Sequence, residues 1–132
     1  EYLPHNHVKN SVVYPGTHDN TTITAWWESA ATPKEKATAA AYLHLTGAHP
    51  TAKEVAAVKT ADARTALLRA ALGSVADRAI IPMYDWLGLG EKAHLNTPGK
   101  LGGNWAWRAA AGFESKTLAK TIADECSVYC RV

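Results

Sequence analysis

Ser11-Val12-Val13-Tyr14-Pro15-Gly16-Thr17-His18-Asp19-Asn20 passes from a β-branched and aromatic run, through a turn dipeptide, into a polar loop. The run suits a buried strand over residues 11–14, which Pro15-Gly16 ends. Residues 17–22 then follow as a loop at that strand's C-terminal end. A second run, Ala79-Ile80-Ile81-Pro82-Met83-Tyr84, is nearly all apolar, as expected of a parallel strand buried on both faces. Residues 79–84 are therefore the second predicted strand.

Working outward, residues 1–10 are polar, contain Pro4 and read as loop. Residues 23–29, with Trp26 and Trp27, suit a short helix. Thr32-Pro33-Lys34-Glu35 is a helix start, with Thr at the cap, Pro in the first turn and Glu at the third position. That helix is predicted to reach Thr46 and stop at Gly47. Further helices are predicted over residues 52–58, opened by Thr51, and over 61–72. In the latter, Ala63, Ala66, Leu67, Ala70 and Ala71 keep helical spacing before Gly73. Residues 85–89 suit a short helix ended by Gly90, residues 91–104 a Gly- and Asn-rich loop, and residues 115–129 an amphipathic helix. Strand, loop, helices, strand, loop, helix is the order of a parallel α/β fold. A helix-dominated domain whose two short strands pair on each other has the same periodicity.

The chain has 132 residues, 47% of them hydrophobic and 20% charged, with a net charge of +2. That is enough for one domain with a core. No Lys/Arg run supports a nucleic-acid or membrane-surface role, and no apolar run approaches the length of a membrane span. The sequence starts at Glu1 without an initiator Met or signal-peptide pattern and is expected to be cut from something longer. Cys126 and Cys130 share one face of the last predicted helix. They read as free thiols of a reducing compartment, since no ligand partners for a metal lie nearby. His5-Asn6-His7 lacks the paired strand and the metal partners of a ββα-metal nuclease. His44 and His49, near a helix end, receive no function.

Chemistry is expected beyond the strands' C-terminal ends, where parallel α/β folds place their active sites. There His18 and Asp19 are adjacent. An Asp can accept hydrogen bonds from sugar hydroxyls and stabilise an oxocarbenium ion, and a His can fix the ring's pose. An Asx-turn with a capping Asp uses the same residue types. After the second strand come Tyr84–Gly90, then Asn96-Thr97-Pro98-Gly99, then Gly103-Asn104-Trp105-Ala106-Trp107-Arg108. Asn side chains can donate to and accept from hydroxyls. By spacing, Trp105 and Trp107 suit packing beneath a loop better than stacking on a ligand. Asp85 is expected to cap the short helix that follows it.

Tyr2-Leu3-Pro4-His5-Asn6, Val12–Asn20, Trp26-Trp27, Ile81-Pro82-Met83, Leu87-Gly88-Leu89-Gly90, Asn96-Thr97-Pro98-Gly99 and Asn104–Arg108 fall in one order along nearly the whole chain. Together they resemble the C-terminal part of amylomaltases, the 4-α-glucanotransferases of glycoside hydrolase family 77 in the α-amylase superfamily. The resemblance implies the last two strands, and their helices, of a (β/α)₈ TIM barrel. Residues 1–132 would then be the C-terminal segment of a single catalytic barrel domain. Such a barrel takes roughly 250 residues, so the segment is incomplete alone.

The resemblance also implies a retaining transfer of α-1,4-glucan segments, through a glycosyl-enzyme, to the 4-hydroxyl of a glucan or glucose. Asp19 matches the transition-state-stabilising carboxylate and His18 the sugar-binding His, with Asn20, Asn96 and Pro98 on the substrate side. No cofactor or metal is implied. The implied partners are α-1,4-glucan or maltooligosaccharide and the remainder of the barrel, in a bacterial cytoplasm or plastid stroma. Two positions depart from the family pattern: Thr21 stands where Asp is usual, and Lys92-Ala93-His94-Leu95 where Glu-Ala-Arg-Met is usual. The nucleophile and acid/base carboxylates would lie upstream. The alternative is a glucan-binding or scaffolding fragment without catalysis of its own.

Overall fold

The computed structural model describes residues 3–131. Tyr2, part of one motif above, lies outside them. Strands β1 (Val12–Val13) and β2 (Arg78–Ala79) form a parallel pair, with Val12 opposite Arg78 and Val13 opposite Ala79. Helices α1 (Ile23–Ala25), α2 (Pro33–Tyr42), α3 (Ala52–Ala57) and α4 (Thr60–Leu72) lie between them in sequence. Helices α5 (Met83–Trp86) and α6 (Lys116–Val128) follow β2. This is an α/β arrangement, in which the connections after both strands leave from the same end of the sheet.

The helix starts obey their local chemistry. Thr32 Oγ1 accepts from Glu35 N–H at 3.2 Å while the Glu35 carboxylate accepts from Thr32 N–H at 2.7 Å, a closed capping box. Thr51 and Glu54 repeat it at α3, at 3.3 and 2.7 Å. After α1 the chain winds on as a π-helical turn, Trp26–Ala30, which Ala31 N–H closes onto the Trp26 carbonyl at 2.8 Å. That turn buries Trp27 against Ala40 and Ala63, with Trp26, Ala39, Leu45 and Val58 around them. A second cluster, Val13, Ala71, Ala76 and Ala79, seats the sheet on the end of α4. Arg69 grips Glu125 with two nitrogens, at 3.0 and 2.7 Å, and joins α4 to α6.

Several boundaries differ from the sequence expectation. The predicted strand over residues 79–84 is displaced to Arg78–Ala79. Ile80 N–H still donates to the Val13 carbonyl at 2.9 Å, but Pro82 has no N–H and caps α5 instead. Ile80, expected to be buried on both faces, is 50% exposed. Helix α5 accordingly starts at Met83 rather than Asp85. It ends at Trp86, and the glycine that stops it is Gly88, not Gly90: its φ is +67°, and Leu89 N–H reaches back to the Tyr84 carbonyl at 2.9 Å. Helix α6 stops at Val128, so Cys130 lies beyond it and the two thiols are not one turn apart on a helix. Both cysteines are free.

Helix α2 ends at Tyr42, short of the expected Thr46. His44 takes the left-handed conformation at φ +57°, its N–H bonds the Ala41 carbonyl at 3.1 Å, and Leu45 N–H bonds the Ala40 carbonyl at 2.9 Å. These two bonds make a Schellman stop with His where Gly is usual. The left-handed region costs a side-chain-bearing residue roughly 1–2 kcal/mol. His44→Gly is therefore expected to raise stability by about 1 kcal/mol, the more flexible unfolded chain taking back part of the gain. A higher urea midpoint of the full-length protein at unchanged slope would show it. A lower midpoint would mean that the imidazole contributes more than its backbone conformation costs.

Candidate functional site

The loop after β1 and the long segment after β2 meet beyond the strand ends. Asn96 N–H donates to the His18 carbonyl at 3.1 Å, and Asn96 Nδ2 donates to Asp19 Oδ1 at 2.5 Å. Two residues separated by most of the chain are thereby held side chain to side chain. His18 Nε2 lies 3.3 Å from the same Asp19 oxygen, and both side chains are about half exposed, at 51% and 45%. The carboxylate thus has one amide and one imidazole fixed beside it and an open face toward solvent. Asn20 turns back on its own loop: its Oδ1 accepts from Thr17 N–H at 2.8 Å and from Thr17 Oγ1 at 3.0 Å. This Asx-type closure shapes the loop and leaves Asn20 Nδ2 as the group that can still donate. Pro98 is exposed on the turn just past Asn96.

Sequence reasoning misplaced one residue of the site and missed another. Trp105 was expected to pack beneath the loop. Instead it is 53% exposed, with its ring 4.9 Å from that of His18. Its backbone is left-handed at φ +60°, and its N–H donates to the Leu95 carbonyl at 2.6 Å. Trp107 does pack, edge-on against Tyr84 at 5.9 Å. Glu91 lies in a short 3₁₀ turn, Glu91–Ala93, inside the segment predicted as loop. One of its carboxylate oxygens accepts from Thr21 Oγ1, and the other lies 3.2 Å from His94 Nδ1. Thr21 and His94 are therefore joined through one carboxylate.

Asp85 does not cap its own helix, whose N-cap is Pro82. It is 2% exposed, and its Oδ1 accepts from Ile23 N–H, the first of α1, at 2.8 Å. Burial pushes its carboxyl up to about 6, against the opposing pulls of the Ile23 N–H and the Arg64 charge. His5 and His7, also noted in the sequence, make hydrogen bonds elsewhere. His5 Nδ1 meets the Tyr42 hydroxyl at 2.9 Å, and His7 Nδ1 meets Ser74 Oγ at 2.7 Å. Among the described residues no three His, Cys, Asp or Glu side chains gather as metal ligands, and no helix is long and apolar enough to cross a membrane.

Paired parallel strands, with a carboxylate, an imidazole and an amide converging beyond their C-terminal ends, define an α/β protein with a polar site at the end where such folds bind ligands. Comparison with known proteins supplies the family. The family profile described as 4-alpha-glucanotransferase matches residues 1–114, and the chain belongs to that family.

A chloroplastic/amyloplastic 4-alpha-glucanotransferase of Arabidopsis thaliana is 40% identical over 99% of this chain and 21% of its own length. The 4-alpha-glucanotransferase of Clostridium butyricum is 36% identical over 98% of the chain and 24% of its length. That of Thermus thermophilus is 43% identical over 84% of the chain and 21% of its length. Among solved structures, the amylomaltase from Streptococcus agalactiae in complex with acarbose superposes with a TM-score of 0.78 at 28% identity, covering 96% of this chain and 23% of that one. The chain thus spans about a quarter or less of the length of these relatives.

Proposed function

We propose that the chain is the C-terminal segment of a (β/α)₈ barrel 4-α-glucanotransferase, with β1 and β2 as its seventh and eighth strands. The whole enzyme moves α-1,4-glucan segments to the 4-hydroxyl of a glucan or glucose, with retention. The observation that carries this reading is the Asp19–Asn96 contact beyond the C-terminal ends of two parallel strands. In such a site Asp19 holds the hydroxyls of the distorted donor sugar, and its negative charge stabilises the oxocarbenium-like transition state. His18 positions the same sugar. Asn96 and Asn20 offer amide donors to hydroxyls, and Pro98 lines the donor side. The nucleophile and the acid/base, roughly 5 Å apart in a retaining site, come from strands outside this segment.

The kinship supports the substrate class, because the superposed amylomaltase is described with acarbose bound. Full-length protein incubated with maltotriose is expected to yield glucose together with maltooligosaccharides longer than the substrate. Chromatography of the products checks it. Glucose and maltose without longer products would indicate hydrolysis. No turnover, with maltooligosaccharide binding retained, would instead favour a scaffold that binds glucan without catalysis.

A further inference from the structure

We propose that Asp85 is a positioning residue for Asp19, anchoring the far end of the loop that carries it. The inference rests on the catalytic reading of Asp19 given above. The loop over residues 14–22 has two feet, and the segment running from β2 into α5 holds both. At one foot Ile80 N–H bonds the Val13 carbonyl at 2.9 Å. At the other, Asp85 Oδ1 bonds Ile23 N–H at 2.8 Å. Only Asn20, Thr21 and Thr22 separate Asp19 from that anchored N–H. Thr22 is fully buried and caps α1 through its Oγ1, which accepts from Ala25 N–H at 3.1 Å. The foot is therefore rigid, and a shift there passes to Asp19 through a short tether.

A positive charge also lies near the carboxylate. Arg64, reaching over from α4, supplies the opposing charge. Its guanidinium occupies the space beside Gly88, where an added Cβ would stand 1.5 Å from Nη1. An ordinary exposed cap would hold the helix start without this burial. A carboxylate taken out of water costs free energy unless its partners are fixed. The partner that accompanies this buried carboxylate is the Ile23 N–H, and what their bond holds in place is the point where the Asp19 loop enters α1.

Asp85→Ala in the full-length enzyme removes the anchor, whereas Asp85→Asn keeps an oxygen able to accept the Ile23 N–H. Steady-state kinetics on maltotriose, run well below the unfolding midpoint of each variant, separates positioning from stability. Asp85→Ala is expected to lower kcat by roughly tenfold or more, as displaced catalytic groups do. KM should change far less, and Asp85→Asn should restore kcat to within about threefold of the parent. A purely structural Asp85 would lower the unfolding midpoint and leave kcat alone. A folded Asp85→Ala enzyme with near-normal kcat therefore overturns the proposal. Should Asp85→Ala not fold, Asp85→Glu, whose oxygen sits one methylene out of place, must show the same loss of kcat, and a normal kcat there overturns it equally. Asp19→Asn is assayed alongside. If that variant is also near normal, the catalytic reading and this inference fall together. If Asp19→Asn is crippled while the Asp85 variants are not, only the positioning inference fails.

Discussion

In the full-length enzyme Asp19→Asn is expected to lower kcat by on the order of 10²-fold or more, with a much smaller change in KM for the donor. The substitution preserves the size of the side chain, and the amide oxygen can still accept from Asn96 Nδ2, which now lies 2.5 Å from the carboxylate. What disappears is the negative charge. A charge attracts a neutral bound sugar weakly and an oxocarbenium-like one strongly, and only such a difference accelerates the chemical step. His18→Ala removes the ring proposed to position the sugar, and its contact with Trp105, so both KM and kcat should suffer. Steady-state kinetics with maltotriose, on variants whose circular dichroism matches the parent, measures both. A near-normal kcat for folded Asp19→Asn would remove Asp19 from the chemistry.

A polypeptide of residues 1–132 alone is expected to release no glucose from maltotriose and to self-associate. Inactivity follows from where the other carboxylates lie: Glu35 and Glu54 close capping boxes, and Glu125 pairs with Arg69. Asp85 is buried beneath the loop and engaged with Ile23, and Glu91 is engaged with Thr21 and His94. Asp124 pairs with Lys120 on α6, while Asp62 lies on α4 and Asp77 just before β2. None stands with Asp19 as a nucleophile and acid/base pair must. Association follows from the sheet. β1 and β2 pair only with each other among the described residues, and Val12, Tyr14 and Ile80 are exposed around them. Unpaired strand edges beside apolar surface recruit other chains. Chromatography of maltotriose digests and light scattering test the two halves. A monodisperse monomer with a cooperative thermal transition would count against a barrel segment.

Local signals carried the elements with local causes. Thr32 with Glu35, and the Ala63–Ala71 periodicity, placed α2 and α4 because capping boxes and helical faces are written within a few residues. Strand ends were less legible. The run Ile80-Ile81-Pro82 reads as strand by hydrophobicity, yet the proline stops the ladder and starts a helix. His44 gave no warning of ending α2, because the stop lies in its backbone conformation and not in its residue type. At the candidate site, the motif around His18 and Asp19 was visible as chemistry. The contacts of Asp19 with Asn96 and of Thr21 with Glu91 were not, since each joins residues about seventy or more positions apart. Asp85 was misassigned for the same reason: the N–H it accepts from opens α1, some sixty residues earlier in the chain.

The clasp between the two loops bears on how this family can be recombined in the laboratory. Asp19 with Asn96, and Thr21 with Glu91, are hydrogen-bonded pairs whose members lie on either side of α2, α3 and α4. A chimera joined to a relative anywhere between residues 24 and 90 inherits one half of each pair from each parent. Where the parent carries Asp in place of Thr21, that junction sets two carboxylates against each other at Glu91, whereas exchanging residues 17–22 together with 80–105 transfers both halves at once. Crossover libraries that treat those two stretches as a single cassette should therefore retain more active members than libraries cut between them.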